Sequence, residues 1–332
     1  MTNKEWFPQA KLGMMIHFGL YSLLAGEWKG QRTPGNAEWL QNYLAIPGSE
    51  YSQLTKIFNP IYFNAEEWVT TAKDAGMEYM VVTSKHHEGF ALFKSEYDDF
   101  NCVTGSPFGR DIIAELAEAC YKHSLKFGLY YSQEIDWHEP NGGGYLFEPV
   151  ENPLNGKKEW DLSNYWDYPD PHAKDFTKCF ETKIKTQFKE ILTKYGDLCL
   201  IWCDTPGVIT TEQSMELYNM IKQYQPDCLI NSRIGNGVGD YHATGDNQVD
   251  FEAKGNTSAV VGNRTGLYEC PGTTMDSWGY KADCAWKSAE DLKAVQNRLN
   301  AQGINYLLNI GPDHLGRLPK PAVDILKKMR DL

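Results

Sequence analysis

Six short apolar runs recur along the chain, and most are separated by segments of helical periodicity. The runs are KLGMMIHFG (11–19), EYMVVTSK (78–85), KFGLYYSQ (126–133), LCLIWCD (198–204), CLINSR (228–233) and INYLLNIG (304–311). None alternates cleanly between apolar and polar residues, so both faces of each run are buried, as in parallel strands covered by helices. The spacing predicts helices over 65–76, 110–124, 175–196, 211–225, 288–303 and 320–332, the first with Asn64 as its N-cap and Gly76 as its stop. Strand–helix alternation over 332 residues predicts an α/β fold, a (β/α)8-like TIM barrel forming one domain over 1–332. An open doubly wound sheet ranks lower, because no GxGxxG follows the first strand and no P-loop occurs. The sixth and seventh strands have no clear run. The stretch 234–287 is rich in Gly, Asn, Thr and Asp, and 138–172 is a second long loop expected to rim a site.

Several classes of function are excluded before any site is considered. A formal charge of −12 removes nucleic acid as a partner, since phosphate binding needs a cationic footprint. No run approaches the ~20 apolar residues of a membrane span. The N-terminus MTNKEWFPQAKLG lacks a charged-then-apolar leader, so the expected compartment is the cytoplasm, or the periplasm or exterior if a leader has been removed. Eight scattered cysteines form no CxxC and no zinc spacing, so they are expected to be free thiols, with no metal and no cofactor. The 10 Trp, 19 Tyr and 14 Phe fit either a ring-rich core or a site where aromatic faces stack on a sugar.

In a barrel the C-terminal strand ends converge on one site. Here they carry His17; Lys85, His86 and His87; Tyr131 onward to Asp136 and Trp137; Trp202 and Asp204; and Asn231 and Arg233. Neighbours on a strand face opposite ways, so His86 and His87 can both reach a pocket only if the strand has already ended. Taken singly each residue has a plainer explanation. A lone histidine is more often structural, Asp204 in DTPG could cap a helix, and Arg233 could sit in a surface ion pair.

The segments IHFGLYS, AEW, TSKHHEGF, LYYSQEIDW, IWCD, TTMDSWGY and NYLLNIGPDHLG, in this order over nearly the whole chain, resemble glycoside hydrolase family 29, the α-L-fucosidases. The resemblance implies a distorted (β/α)8 barrel, here without the C-terminal β-sandwich common in the family. It implies a retaining enzyme acting on fucosylated oligosaccharides or glycoconjugates by double displacement through a covalent glycosyl-aspartate. The aspartate of IWCD, Asp204, matches the nucleophile. The acid/base matches Glu269 in YECPGTTMDSWGY, with Tyr268 where relatives have tryptophan. Other relatives draw it from an earlier loop, which here offers Asp246 as runner-up, then Asp250 and Glu252. The substrate-binding matches are His17, Glu38, Trp39, His86, His87, Tyr131, Trp202 and Arg233. Phe18, Glu88 and Tyr268 depart from the family pattern and leave room for an L-galactose-like sugar. Two other readings stay open: a metal-dependent barrel hydrolase, disfavoured because no HxH ends the first strand, and a non-catalytic fucose-binding relative, disfavoured by the presence of Asp204. The oligomeric state is not legible in the sequence.

Overall fold

A computed structural model describes residues 3–144, 150–151, 158–159, 163–249 and 266–332. Eight parallel strands form one sheet: β1 (Leu12–Ile16), β2 (Tyr79–Lys85), β3 (Lys126–Tyr131), β4 (Leu200–Cys203), β5 (Leu229–Ile230), β6 (His242–Ala243), β7 (Tyr268–Thr273) and β8 (Ile304–Ile310). Their spatial order is β6-β7-β8-β1-β2-β3-β4-β5, which is chain order wound into a curl. Between β5 and β6 the ladder shrinks to a single parallel bridge, Asn231 to Tyr241, beside the bond from the Asp240 N–H to the Ile230 carbonyl (2.6 Å). The barrel is therefore distorted at its β5–β6 seam, where both strands are two residues long.

The missing sixth and seventh strands lie where the sequence shows no run. Strand β6 is too short to leave a pattern. Strand β7 reads YECPGT, and its proline and glycine argue against a strand in any sequence-based reading.

Seven helices matter for the architecture: α1 (Asn3–Ala10), α2 (Ala65–Asp74), α3 (Ile112–Lys122), α4 (176–194), α5 (Thr211–Tyr224), α6 (Ala289–Ala301) and α7 (Lys320–Asp331). Side chains at their starts accept the orphan N–H groups of the first turn: Asn64 from Glu67, Asp111 from Ala114, and Ser288 from Asp291. Thr210 and Gln213 form a reciprocal capping box at α5. Midway along α4, one widened turn (Phe180–Ile184) is a π-helix, and Lys183 lies in it, fully buried.

Burial divides the strand residues by parity. Met14, Ile16, Met80, Val82, Leu129 and Tyr131 face the helices, in the larger core between sheet and outer layer. Met15, Tyr79, Val81, Tyr130, Trp202 and Leu307 form a second core inside the barrel. Helix α1 closes the floor of this inner core. Trp6 packs edge-on against Tyr79 (5.4 Å) and Phe7 against Tyr241 (4.7 Å), while Asn305 Nδ2 donates to the Phe7 carbonyl (2.6 Å). Burying each such ring contributes ~1.5–3 kcal/mol, so a helix of eight residues is held by its two aromatics rather than by its own propensity. With its floor closed, the barrel is left with polar side chains at the C-terminal ends of its strands. Among the described residues, no helix is long and apolar enough to cross a membrane.

Candidate active site

Asp204 immediately follows β4, and both its carboxylate oxygens and its backbone N–H are held. Its Oδ2 accepts from the Tyr130 hydroxyl (2.7 Å), its Oδ1 accepts from Arg233 Nη1 (2.9 Å), and its backbone N–H donates to Gln133 Oε1 (2.6 Å). Arg233 follows β5, its guanidinium 4.6 Å over the Trp202 ring, and its Nη2 donates to Asp246 Oδ1 (2.5 Å) and to the Thr244 carbonyl (2.9 Å). One guanidinium thus spans two carboxylates, from the ends of β4 and β6. Burial works against the charge of Arg233, but Asp246 and Asp204 more than offset it and hold its pKa above the ordinary value. Asp204 is almost enclosed, while the Asp246 side chain is 37% exposed and therefore faces the opening.

The imidazoles form the opposite wall. Strand β2 ends at Lys85, which frees both following residues to turn inward, and their rings lie 4.0 Å apart. His86 stacks on Tyr130 (5.6 Å), and His17 lies 5.3 Å from His86 and 5.2 Å from Trp278. Burial lowers His17 to about 4 and takes His86 and His87 well below the ordinary range, so all three are neutral at neutral pH.

Their tautomers follow from their partners. Asn309 Nδ2 donates to the Trp278 carbonyl (2.7 Å), which turns Asn309 Oδ1 toward His17 Nδ1 (2.7 Å), so that nitrogen carries the proton. The Ser132 hydroxyl donates to the Ile135 carbonyl (2.7 Å) and so accepts from His87 Nδ1 (2.7 Å). Both histidines are left with an Nε2 lone pair, and that of His87 lies 3.8 Å from Asp204 Oδ2. Two acceptors at that separation leave room for a hydroxyl that donates to one of them.

Glu38 and Trp39 come from a short 3-10 turn (Ala37–Trp39). Trp39 packs edge-on against His87 (4.8 Å) and Trp137 (5.3 Å). Glu38 Oε2 accepts from the Gly279 N–H (2.8 Å) and Ser277 Oγ (3.2 Å), while Oε1 is buried with no partner among the described residues. Burial pushes the Glu38 carboxyl up to about 7. His86 Nδ1 and Arg233 Nε are likewise buried without a partner among the described residues. Unpaired buried polar atoms around one cavity are the groups a polyhydroxylated ligand would satisfy.

The structure brings together His17, Glu38, Trp39, His86, His87, Trp202, Asp204, Arg233 and Asp246. It separates two residues from them. Tyr131 faces outward, its hydroxyl on Gln187 Oε1 (2.7 Å) and its ring beneath Lys85 Nζ (4.7 Å). The tyrosine at the site is Tyr130, one residue earlier and on the opposite face, which corrects the sequence-based expectation. Glu269 is the second residue of β7, level with Asn305 near the start of β8, and not a strand-end residue. Its oxygens accept from the Tyr79 hydroxyl (2.6 Å) and Trp202 Nε1 (2.8 Å), it has no exposure, and burial raises its carboxyl to about 7. A carboxyl closed in by two donors under the Trp202 indole is placed to hold that indole rather than to meet a leaving group. Asp250 and Glu252 lie outside the described residues.

Sequence reasoning also missed Gln133, Glu134, Ser132 and Asn309, which orient the groups that line the cavity. Phe18, Glu88 and Tyr268 all lie off the pocket. Phe18 packs on Phe58 and Trp68, Glu88 accepts from the Leu20 N–H (2.8 Å) and Tyr51, and Tyr268 opens β7 beside His242. Among the described residues, no three His, Cys, Asp or Glu side chains are grouped as a metal ion would need them, and all eight cysteines are free.

Paired carboxylates at the mouth of a barrel, framed by neutral imidazoles and indoles, have the make-up of a glycoside-processing site. Comparison with known proteins narrows the class: the chain belongs to the alpha-L-fucosidase family, whose model matches residues 1–331. The alpha-L-fucosidase AlfC of Lactobacillus casei, solved with its α-L-fucose product, is 47% identical and superposes with a TM-score of 0.91 over 100% of this chain and 98% of that one. A variant of AlfC has been solved in complex with Fuca(1,6)GlcNAc, with a TM-score of 0.89 at 47% identity over 98% of this chain and 97% of that one. The tissue alpha-L-fucosidase of Rattus norvegicus is 28% identical over 331 residues, 94% of this chain, and the chain spans 64% of its length.

Proposed function

We propose that the protein is an exo-acting, retaining α-L-fucosidase that hydrolyses terminal α-L-fucosides of oligosaccharides or glycoconjugates. The observation that carries this reading is the single Arg233 guanidinium shared by Asp204 and Asp246. It brings two carboxylates from the ends of different strands to one point, and a retaining glycosidase works with two carboxyl groups ~5–5.5 Å apart. The 47% identical AlfC bound to fucose supports the choice of sugar.

Asp204 is the nucleophile and Asp246 the acid/base. In the first step an Asp204 oxygen bonds to the anomeric carbon as the glycosidic C–O bond breaks, and Asp246 gives its proton to the departing oxygen. In the second step Asp246 takes a proton from a water whose oxygen bonds to that carbon. The ester to Asp204 breaks, and fucose leaves with its configuration retained. Tyr130 and Arg233 hold Asp204 in its attacking position throughout. The lone pairs of His17 and His87 Nε2 and the open oxygen of Glu38 accept from sugar hydroxyls, while Trp39, Trp202 and Trp278 supply apolar faces.

The test is turnover of 4-nitrophenyl α-L-fucoside by the parent and by Asp204→Ala. The parent releases nitrophenolate, the variant does not, and added azide restores release by yielding a fucosyl azide. Full activity in the variant would remove Asp204 from the mechanism. A parent that binds fucose without turnover would make the protein a fucose binder.

A further inference from the structure

Two adjacent residues after β3 grip the nucleophile strand end from both sides. Gln133 accepts the Asp204 N–H with Oε1 (2.6 Å) and donates from Nε2 to the Arg233 carbonyl (2.8 Å). Glu134 grips the loop that follows. Its Oε2 accepts from three successive backbone N–H groups, those of Gly207 (2.7 Å), Val208 (2.8 Å) and Ile209 (2.9 Å), and its Oε1 accepts from Gly144 (3.2 Å). Consecutive N–H groups pointing at one oxygen form an anion-binding nest, and here the anion is supplied by the chain itself.

The surroundings are shaped for that carboxylate. Glu134 is 1% exposed. A Cβ on Gly143 would come within 2.3 Å of its Cγ, and one on Gly207 within 2.9 Å of its Oε1. All four contacts are donors, so the ionised form is satisfied, whereas a carboxylic O–H would find no acceptor among them. Burial pushes the carboxyl up, and the N–H donors oppose that. Between Asp204 and the nest lies Thr205, a β-branched residue at φ +50°, which such side chains rarely adopt. A backbone of this kind persists only where its surroundings over-determine it, and it occurs preferentially at functional sites.

We propose that Glu134 is the positioning residue for the nucleophile: its carboxylate fixes the 205–209 loop, holds Thr205 in its left-handed conformation and thereby aims Asp204 at the anomeric carbon. The inference rests on the reading of Asp204 as the nucleophile. Glu134 touches no substrate and acts on the rate of forming the glycosyl-enzyme, not on sugar affinity.

The experiment compares the parent with Glu134→Ala, Glu134→Asp and Glu134→Gln. It reads kcat and KM for 4-nitrophenyl α-L-fucoside, the rate of covalent labelling by 2-deoxy-2-fluoro-α-L-fucosyl fluoride, and the thermal midpoint. Glu134→Ala is expected to lower kcat and the labelling rate together by about a hundredfold, the scale of an ångström's misplacement, with KM within about threefold. Glu134→Gln keeps an oxygen for the three N–H groups and is expected to recover at least about tenfold of that loss. The idea is overturned if Glu134→Ala folds with kcat and labelling within about threefold of the parent, or if both merely track the folded fraction. Should Glu134→Ala not fold, Glu134→Asp carries the test. It keeps the charge and loses one methylene of reach, so kcat is expected to fall about tenfold at unchanged KM, and an unchanged kcat refutes the role. Labelling of Asp204→Ala by the same probe would instead refute the nucleophile assignment itself, which separates the two failures.

Discussion

Replacing the two candidate proton donors separately, against leaving groups of different quality, decides which of them serves as the acid/base. In Asp246→Ala the structure leaves little collateral damage. Arg233 keeps Asp204 on Nη1 and the Thr244 carbonyl on Nη2, both at 2.9 Å, so no guanidinium is stranded. The loss then combines proton transfer with half of the counter-charge on buried Arg233, and only the proton-transfer part depends on the leaving group. General acid catalysis is worth ~10²–10⁴, or ~2.7–5.4 kcal/mol at 1.36 kcal/mol per decade. An unactivated glycoside such as Fucα(1,6)GlcNAc needs that proton and should lose kcat/KM by about a thousandfold, whereas 4-nitrophenyl α-L-fucoside, whose leaving group departs as an anion, should lose about tenfold in its first step. In Glu269→Gln the amide oxygen keeps the Trp202 N–H and its NH2 meets the Tyr79 oxygen, which accepts it, so the Tyr79 proton loses its acceptor. That mismatch costs ~1–3 kcal/mol of stability and disturbs both substrates alike. The measurement is kcat/KM for the two substrates on both variants, read beside the thermal midpoint. If Glu269→Gln shows the leaving-group dependence and Asp246→Ala does not, the reasoning fails and Glu269 takes the role. If neither shows it, the role passes to Asp250 or Glu252.

Other outcomes follow from the same geometry. Tyr130→Phe removes a hydrogen bond to the Asp204 carboxylate (2.7 Å), worth ~1.5–3 kcal/mol, and should lower kcat/KM by about 10–100-fold. Tyr131→Phe, on the other face, should leave kcat/KM within about twofold and lower stability by ~1 kcal/mol through loss of the Gln187 contact. Equal kinetic losses from the two would refute the assigned faces. Burial raises Glu38, Glu88 and Glu269 from the ordinary 4.5 to about 7. The folded chain therefore holds these protons more tightly than the unfolded one. Their contribution is complete below pH ~4.5 and is lost as pH rises through ~7, by up to ~3 kcal/mol per group. Urea midpoints taken between pH 5 and 7 should consequently fall less steeply in Glu269→Gln than in the parent, and an unchanged slope would count against the raised value. Lys183→Met leaves Asp136, which is 2.9 Å from both Lys183 and Lys85, with half its counter-charge, and should cost ~3–5 kcal/mol in chemical denaturation. A loss under ~1 kcal/mol would show that Lys85 alone suffices.

The barrel was legible because strands buried on both faces leave unbroken apolar runs, and the same property hid which face is which. In KFGLYY nothing distinguishes the phase of Tyr130 from that of Tyr131. The pairing of Tyr130 with Trp202 and of Tyr131 with Cys203 decides it, and that register is a tertiary fact. The strand position of Glu269 is hidden for a related reason. With Pro271 and Gly272 inside it, β7 does not look like a strand, so a residue near its start passes for one beyond its end. The residues after clean runs lie together: His17 beside His86, His86 beside His87, His87 Nε2 3.8 Å from Asp204 and Asp204 on Arg233. Lys85 shows how the alternation of faces breaks at the end of such a run: Tyr79 and Val81 face the barrel interior, but the register shifts between Thr83 and Lys85. As the last residue of β2 it points outward, where its ammonium meets Asp136 and is joined there by Lys183 from the widened turn of α4. Burial opposes the charge on Asp136, yet the two lysines hold its carboxyl far below the usual range. Burial first, and the Lys85 charge after it, keep His87 neutral, with Asp136 acting the other way. The run of Lys85, His86 and His87 therefore separates one task between two faces: a charge locked among the helices on one side, and uncharged imidazoles offered to a ligand on the other. Phe18, Glu88 and Tyr268, the departures from the pattern that the resemblance implies, also point away from the cavity wall. Phe18 packs on Phe58 and Trp68, Glu88 on the Leu20 N–H and Tyr51, and Tyr268 against the outer core, so none of the three lines the wall formed by His17, His86, His87 and Asp204.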